Sequence, residues 1–380
     1  MRRFSWLIGL GLILAGCGGG AAPASSAAPA PAAAAKPSAA ISAAAAGQLT
    51  KLKVLLGSQS WYQGYAPFAV AQEMGYYKDG GVDPDLITCC GSTDVTKQIA
   101  AGQGDIGAPS PEPIIIGRQP DTGMKARYFY TAYRENIYGL AVTQGSPINK
   151  LPDLKGKIIG VNNLGSGAVV AGKALLKTAG LDPDKDATFV AIGEGVQAAT
   201  AIQQKRVDAL SLWDAFYAEL EGFGIKFQML DNSAIAKYPS NGLLVRDADA
   251  ASKGKAFAGF GRALAQGTAF ALENPEAAAK IMWKQHPDTK PANKPDTQAL
   301  EEAVAVVKSR FHVWRIDNRA TRKWGWNEES DYANFEDFMQ QQGLIKVKVP
   351  VTDLFTNDLS TDINNFDETK VREQAKTWKG

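Results

Sequence analysis

The chain is poor in the residues that most site chemistry needs. Of 380 residues, three are cysteine and two are histidine. With only His286 and His312, and no Cys-x-x-Cys pair, no zinc pattern can be written. Three cysteines also cannot build the disulfide framework of a small secreted domain. Charge of one sign is missing too. Without Arg2 and Arg3 the 41 basic residues become 39, equal to the 39 acidic ones, so nothing electrostatic argues for nucleic acid. There is no Gly-x-Ser-x-Gly elbow and no P-loop; "GSGAVVAG" is glycine-rich but lacks the lysine. The expectation is a chain with no catalytic residue, no metal and no cofactor. Hydrophobic residues at 45% and charged ones at 21% are an ordinary globular balance.

What is present begins with an export signal. Arg2 and Arg3 precede an apolar core, Phe4 to Leu14, that is too short to span a bilayer. "LAGC" follows and resembles the lipobox of bacterial lipoproteins, which implies that Cys17 takes a lipid. Residues 1–16 then read as signal peptide. Residues 17–50, rich in Ala, Pro and Ser and nearly empty of large apolar side chains, read as a disordered tether. No later segment is long and apolar enough to span a membrane.

From Lys51 strands and helices alternate. Lys53–Leu56, Asp85–Thr88 and Asp105–Ala108 are short apolar runs, each followed by a loop and a helical pattern. The order restarts near residue 157, with strands at 158–161, 188–192 and 207–212. An offset of about 103 places Gly57 on Gly160, Ile99 on Ile202 and Asp105 on Asp208. Such units make parallel α/β sheets. Two lobes of about 100 residues each follow, with "IYGLAVT" and "NGLLVR" as crossing strands. Helices expected at 253–273, 275–285, 296–310 and 328–341 most simply return over the first lobe.

Ligands of open α/β sheets sit beyond the carboxyl ends of the strands. The first lobe offers Trp61, Tyr62, Ser92, Thr93, Ser110 and Glu112, with Tyr130 and Tyr133 near the crossover. The second offers Ser166, Glu194, Trp213, Asp214 and Tyr217. Aromatic walls with few polar groups suit a small-molecule cleft. Trp61 and Trp213 are either a clamp from opposite lobes or core residues. Gly165–Gly167 opens a helix, and is either an anion site or an ordinary cap. Glu112, between Pro111 and Pro113, is expected to be exposed.

Four stretches carry a family resemblance: "PFAVAQEMGYYKDGGVDPDLI", "TKQIAAGQGDIGAPSPEPIII", "NIYGLAVTQGSPINKLPDLKGKIIGVNNLGSGA" and "IQQKRVDALSLWDAF". The chain resembles solute-binding proteins of ABC importers in the SsuA/TauA and THI5/NMT1-like group, clearly over residues 51–285. The resemblance implies a two-lobed periplasmic-binding-protein (type II) α/β fold, each lobe a mainly parallel sheet flanked by helices. Lobe one would be 51–139 plus 245–380, and lobe two 140–244. It implies a monomer, held by lipid at the outer face of a membrane, that closes on one small solute and docks on a permease. The group binds sulfonates, taurine, nitrate-like anions, pyrimidine precursors and aromatic acids. Carboxylates without an evident arginine in the loops favour a planar nitrogenous ligand over an oxyanion. The related pyrimidine synthases carry a "CCCFC" segment and a site histidine. This chain has "CCGS", and both its histidines fall in the expected C-terminal helices.

Cys89 and Cys90 remain open. They read as two free thiols, as a vicinal disulfide, or as a relic of a synthase-like ancestor.

Overall fold

A computed structural model describes residues 48–291 and 293–380. The signal peptide, Cys17 and nearly all of the expected tether lie outside the described residues.

Among the described residues, ten strands fall into two five-stranded sheets. The first runs β2 (Val82–Thr88), β1 (Thr50–Leu56), β3 (Ile106–Ala108), β10 (Gly242–Arg246), β4 (Ala126–Thr131). The second runs β7 (Ala187–Ala191), β6 (Lys157–Val161), β8 (Ala209–Trp213), β5 (Tyr138–Thr143), β9 (Phe227–Met229). In each, three parallel strands are followed by one antiparallel strand from the other side of a crossover. The chain changes sheet between Thr131 and Tyr138, and again between Met229 and Gly242. β5 and β10 are therefore whole strands of opposite sheets.

The local sequence explains the strand order. Val54, Leu55 and Leu56 are a continuous buried run, as a central strand between two neighbours requires. β2 carries Asp83, Pro84 and Asp85, and it lies at the sheet edge, where a missing N–H and exposed charges are tolerated.

The internal echo is structural. The helices Ser92–Ala100 and Gly195–Gln203 follow equivalent strands and are offset by 103. Asp105 and Asp208 do the same work: each accepts from the backbone of the neighbouring strand, Lys53 N at 2.7 Å and Ile158 N at 2.8 Å. That pairing matches Lys53 with Ile158, so the offset is two residues larger in the first strand of each set. Gly57, just after β1, is thus not the partner of Gly160, which lies inside β6.

Two expectations change here. "PSPEP" is not a loop throughout: Glu112 starts a helix, Glu112–Gly117, and is 2% exposed. The prolines hold the turn that tucks it inward. Nor do all the C-terminal helices cover the first sheet. Gly254–Glu273 packs on the helix Ala66–Glu73 as expected, but Asp296–Ser309 packs on Asp214–Gly222, the helix that follows β8 of the second sheet. Among the described residues no helix is long and apolar enough to cross a membrane.

Candidate functional site

The loops after the parallel strands of the two sheets face each other, and three sets of contacts join them. The first is made by backbone. Gly91 meets Gly165 so closely that a β-carbon at Gly91 would collide with the Gly165 carbonyl, and Thr93 N donates to Gly165 O at 3.0 Å. Ser92 Oγ lies behind, accepting from Ser110 N at 3.0 Å, while Ser166 caps its helix by accepting from Ala168 N. The bland cap reading of "GSG" is the contact observed.

The second set centres on Glu194, presented between two glycines with positive φ, Gly193 and Gly195. Its carboxylate accepts from Gln59 N (3.2 Å), Ser60 N (3.2 Å), Ser60 Oγ (2.7 Å) and Ser58 Oγ (3.1 Å) of the β1 loop, and from Asn162 Nδ2 (2.9 Å). Four of the five donors belong to the opposite sheet's loop. Glu219 lies nearby, its carboxyl pushed up to about 8 by burial and by the Glu194 charge.

The third set is an aromatic cage around an ion pair. The Tyr62 hydroxyl accepts from Trp213 Nε1 at 3.0 Å and from Arg310 Nη2 at 2.9 Å. Arg310 is 1% exposed; its Nε lies 3.2 Å from Asp214 Oδ1, and its guanidinium sits over the Tyr133 ring at 4.7 Å. Burial works against the Arg310 charge, but Asp214, Tyr62 and Tyr133 outweigh it and hold its pKa above the usual value. Burial raises Asp214, and Arg310 pulls it back. His312 Nε2 stands 3.9 Å from Asp214 Oδ2. Asp214 Oδ2 and Arg310 Nη1 are buried without a hydrogen-bond partner among the described residues.

Tyr62, Tyr133, Trp213 and Asp214 are thus brought together, as are Ser92, Thr93, Ser110 and Ser166. Three other expected site residues stand apart. Tyr217 is built into the second sheet, its hydroxyl among Gly139 O, Leu210 O and Leu212 N. Tyr130 lies under Gly325, beside a cavity of about 30 Å³ that it shares with Tyr65, Tyr133 and Trp314. Glu112 is enclosed away from the cage. The two tryptophans do not oppose each other: Trp61 stacks on His286 at 3.8 Å, and Tyr62 meets Trp213 instead.

Arg310, His286 and His312 were missed. Arg310 follows the helix that unexpectedly crosses to the second sheet, so no strand-end rule points to it. The only local signal is a charge set against the apolar "FHVW". Cys89 and Cys90, at the end of β2, are joined as a vicinal disulfide.

A family model described as "NMT1/THI5 like" matches residues 63–278, more than half of the chain. The chain belongs to the NMT1/THI5-like family. Among curated relatives, the riboflavin-binding protein RibY of Chloroflexus aurantiacus is 23% identical over 297 residues, 77% of this chain and 82% of that protein. The 4-amino-5-hydroxymethyl-2-methylpyrimidine phosphate synthase of Schizosaccharomyces pombe is 28% identical over 144 residues, 38% of this chain and 40% of that one. Among solved structures, the periplasmic aliphatic sulphonate binding protein SsuA of Escherichia coli aligns with a TM-score of 0.59 at 18% identity, covering 82% of this chain and 99% of its own. This NMT1/THI5-like chain therefore has the periplasmic binding-protein fold.

Proposed function

We propose that the chain is the solute-binding component of an ABC importer, and that its solute is a planar nitrogen heterocycle with carbonyl oxygens and an N–H along one edge. The observation that carries this is the set of unused polar groups in the aromatic cage. Asp214 Oδ2 is an acceptor without a donor, and Arg310 Nη1 a donor without an acceptor. Tyr62 already accepts two bonds, so its own proton is left to donate. One acceptor and two donors are the complement of the groups on an imide edge, and Tyr62, Trp213 and Tyr133 offer faces for a ring. The RibY relative supports a ligand of this kind. Entry requires the Tyr62–Trp213 contact to part. We take 51–139 plus 245–380 and 140–244 as the bodies that move, and Cys17 as a lipid anchor holding a monomeric, exported receptor near its permease.

Arg310 supplies the arginine whose apparent absence favoured a nitrogenous ligand, so an oxyanion is the second reading. Asp214 argues against it: at 3.2 Å it balances the guanidinium and leaves the cage near neutrality. An enzyme reading gains from His312 beside Asp214. It loses because Asp214 is held by Arg310, and because no serine of the cleft has a histidine partner among the described residues.

The test is a thermal shift with riboflavin, a hydroxymethylpyrimidine, taurine, an alkanesulfonate and nitrate. Ligand at a hundredfold over Kd stabilises by about 2.7 kcal/mol. Riboflavin or the pyrimidine is expected to raise Tm, and Asp214→Ala to remove the effect. A shift with taurine or nitrate, and none with either heterocycle, overturns the ligand class.

A further inference from the structure

Glu112 has no part in the cage, yet it is a buried carboxyl, 2% exposed, with both oxygens unpartnered among the described residues. The first turn of a helix normally offers N–H donors to a carboxylate there. Here Pro111 and Pro113 remove two of them. Asn136 Nδ2, in the crossover, and Ser110 Oγ are likewise buried without partners. Glu112 and Asn136 share a small void whose walls come from both halves: Val170 and Ala171 on the helix Gly167–Thr178 of the second sheet, and Phe335 and Met339 on the helix Glu329–Gln341. An ionised carboxylate in such a place is strongly disfavoured unless paired.

Among the described residues, nothing packed around it supplies a counter-charge. Lys173 on the helix Gly167–Thr178 is held by Asp184 at 2.6 Å. In the crossover, Arg134 donates to Lys323 O and Glu135 pairs with Arg319. Glu336 on the helix Glu329–Gln341 accepts from Val349 N. The groups that feel Glu112 are the Tyr128 and Tyr138 phenols, both raised by burial.

We infer that Glu112 is a proton-binding site that couples closure of the cleft to pH: the closed arrangement holds the carboxyl neutral, and separating the helices Glu112–Gly117 and Gly167–Thr178 hydrates and ionises it. The coupling rests on the proposed opening and closing of the two halves. Burial raises the carboxyl from its ordinary 4.5 to about 7, against smaller opposing effects of the Ser110 hydroxyl, which lies near the carboxyl but outside hydrogen-bond geometry, and of its own backbone. Below the ordinary value both arrangements are protonated, and pH has no effect. Between the two values the open form is ionised and the closed form is not, so closure becomes about tenfold less favourable per pH unit. Above the raised value both are ionised, and the loss levels off at about a hundredfold or more.

The test needs no solute. Small-angle scattering of the purified protein is expected to show expansion between about pH 5.5 and 8, with Glu112→Gln compact at both. An infrared titration of the wild type is expected to show, besides the Glu219 carboxyl, a protonated carboxyl component at about pH 6 that is lost by about pH 8, with its midpoint moved upward in Ser110→Ala while the Glu219 component stays in place. The Ser110→Ala shift assigns the band even where Glu112→Gln does not fold. Absence of that band, or the same expansion in Glu112→Gln as in wild type, overturns the inference. A protein that binds none of the tested solutes but shows the Glu112-dependent expansion keeps the proton site and loses only the ligand class.

Discussion

Glu194→Ala tests the reading of the closed cleft most directly. The carboxylate takes four hydrogen bonds from the β1 loop. Bonds to a charged group contribute about 1.5–3 kcal/mol when shielded. These are partly exposed, so roughly 1 kcal/mol each is a fair value, with about 3 kcal/mol for the set after allowing that water replaces some of them. That is about a hundredfold in the closing equilibrium. The donors are themselves the reporters. The Gln59 and Ser60 amides are bonded to Glu194, whereas the Lys53 amide in β1 is bonded to Asp105 at 2.7 Å. Amide hydrogen exchange should accelerate by about a hundredfold at Gln59 and Ser60 and stay unchanged at Lys53. Glu194 lies in a loop outside the core, so Tm should fall by only a few degrees. Glu219 should also titrate lower, since the Glu194 charge is one of the two causes that raise it. Equal exchange at Gln59 and Ser60 in both proteins would refute the latch.

Arg310→Met leaves Asp214 buried without its cation; a loss of about 3–5 kcal/mol in urea unfolding is expected, and Arg310→Met with Asp214→Leu should recover much of it. Gly91→Val should leave the fold intact by circular dichroism but stop the approach to Gly165, weakening binding of whichever heterocycle the thermal shift identifies by at least tenfold. Asp105→Ala and Asp208→Ala should each cost about 1–2 kcal/mol. Asp105 should lose slightly more, because it also pairs with Lys253 at 2.7 Å.

The strands were legible wherever an apolar run ended at a turn residue, and so were the long helices: 275–285 is as expected, and 253–273, 296–310 and 328–341 differ by one residue at an end. Those signals are local. The destination of a helix is not. The helix Asp296–Ser309 has an apolar face that either sheet can accept, and its packing on Asp214–Gly222 is decided by tertiary fit. Arg310 was invisible for that reason. Glu112 was misread for a related one. Two prolines fix a backbone direction, but whether it points to water or inward depends on what covers it, here a helix more than 200 residues later in the chain. Tyr217 shows the limit of proximity: it lies one turn from Asp214, yet its hydroxyl is taken up by Gly139 O, Leu210 O and Leu212 N of its own sheet.

The echo between the two halves also gives the closed cleft a logic that neither latch shows alone. At an offset of 103, Gly91 corresponds to Glu194, and both are N-caps of equivalent helices. With the larger offset that holds for the first strands, Ser60 corresponds to Gly165. Gly91 touches Gly165, and Glu194 binds Ser60. The two contacts are thus the same contact made twice, cap of one half against first loop of the other, as a pseudo-twofold axis through the cleft requires. They differ only in chemistry. One has lost both side chains, so the backbones meet; the other has a carboxylate that spans the gap and takes N–H and O–H donors. The backbone contact fixes how near the halves come, and the carboxylate contact sets how strongly they hold. Exchanging the chemistry should therefore be informative: Glu194→Gly should loosen closure without changing its geometry, whereas Gly91→Ser should hold the halves apart at Gly165 even with the Glu194 latch intact. Scattering from the two variants should separate them, the first as a shifted population of the wild-type closed form, the second as a closed form of larger radius. A Gly91→Ser protein with the wild-type radius would show that the pseudo-twofold does not govern closure.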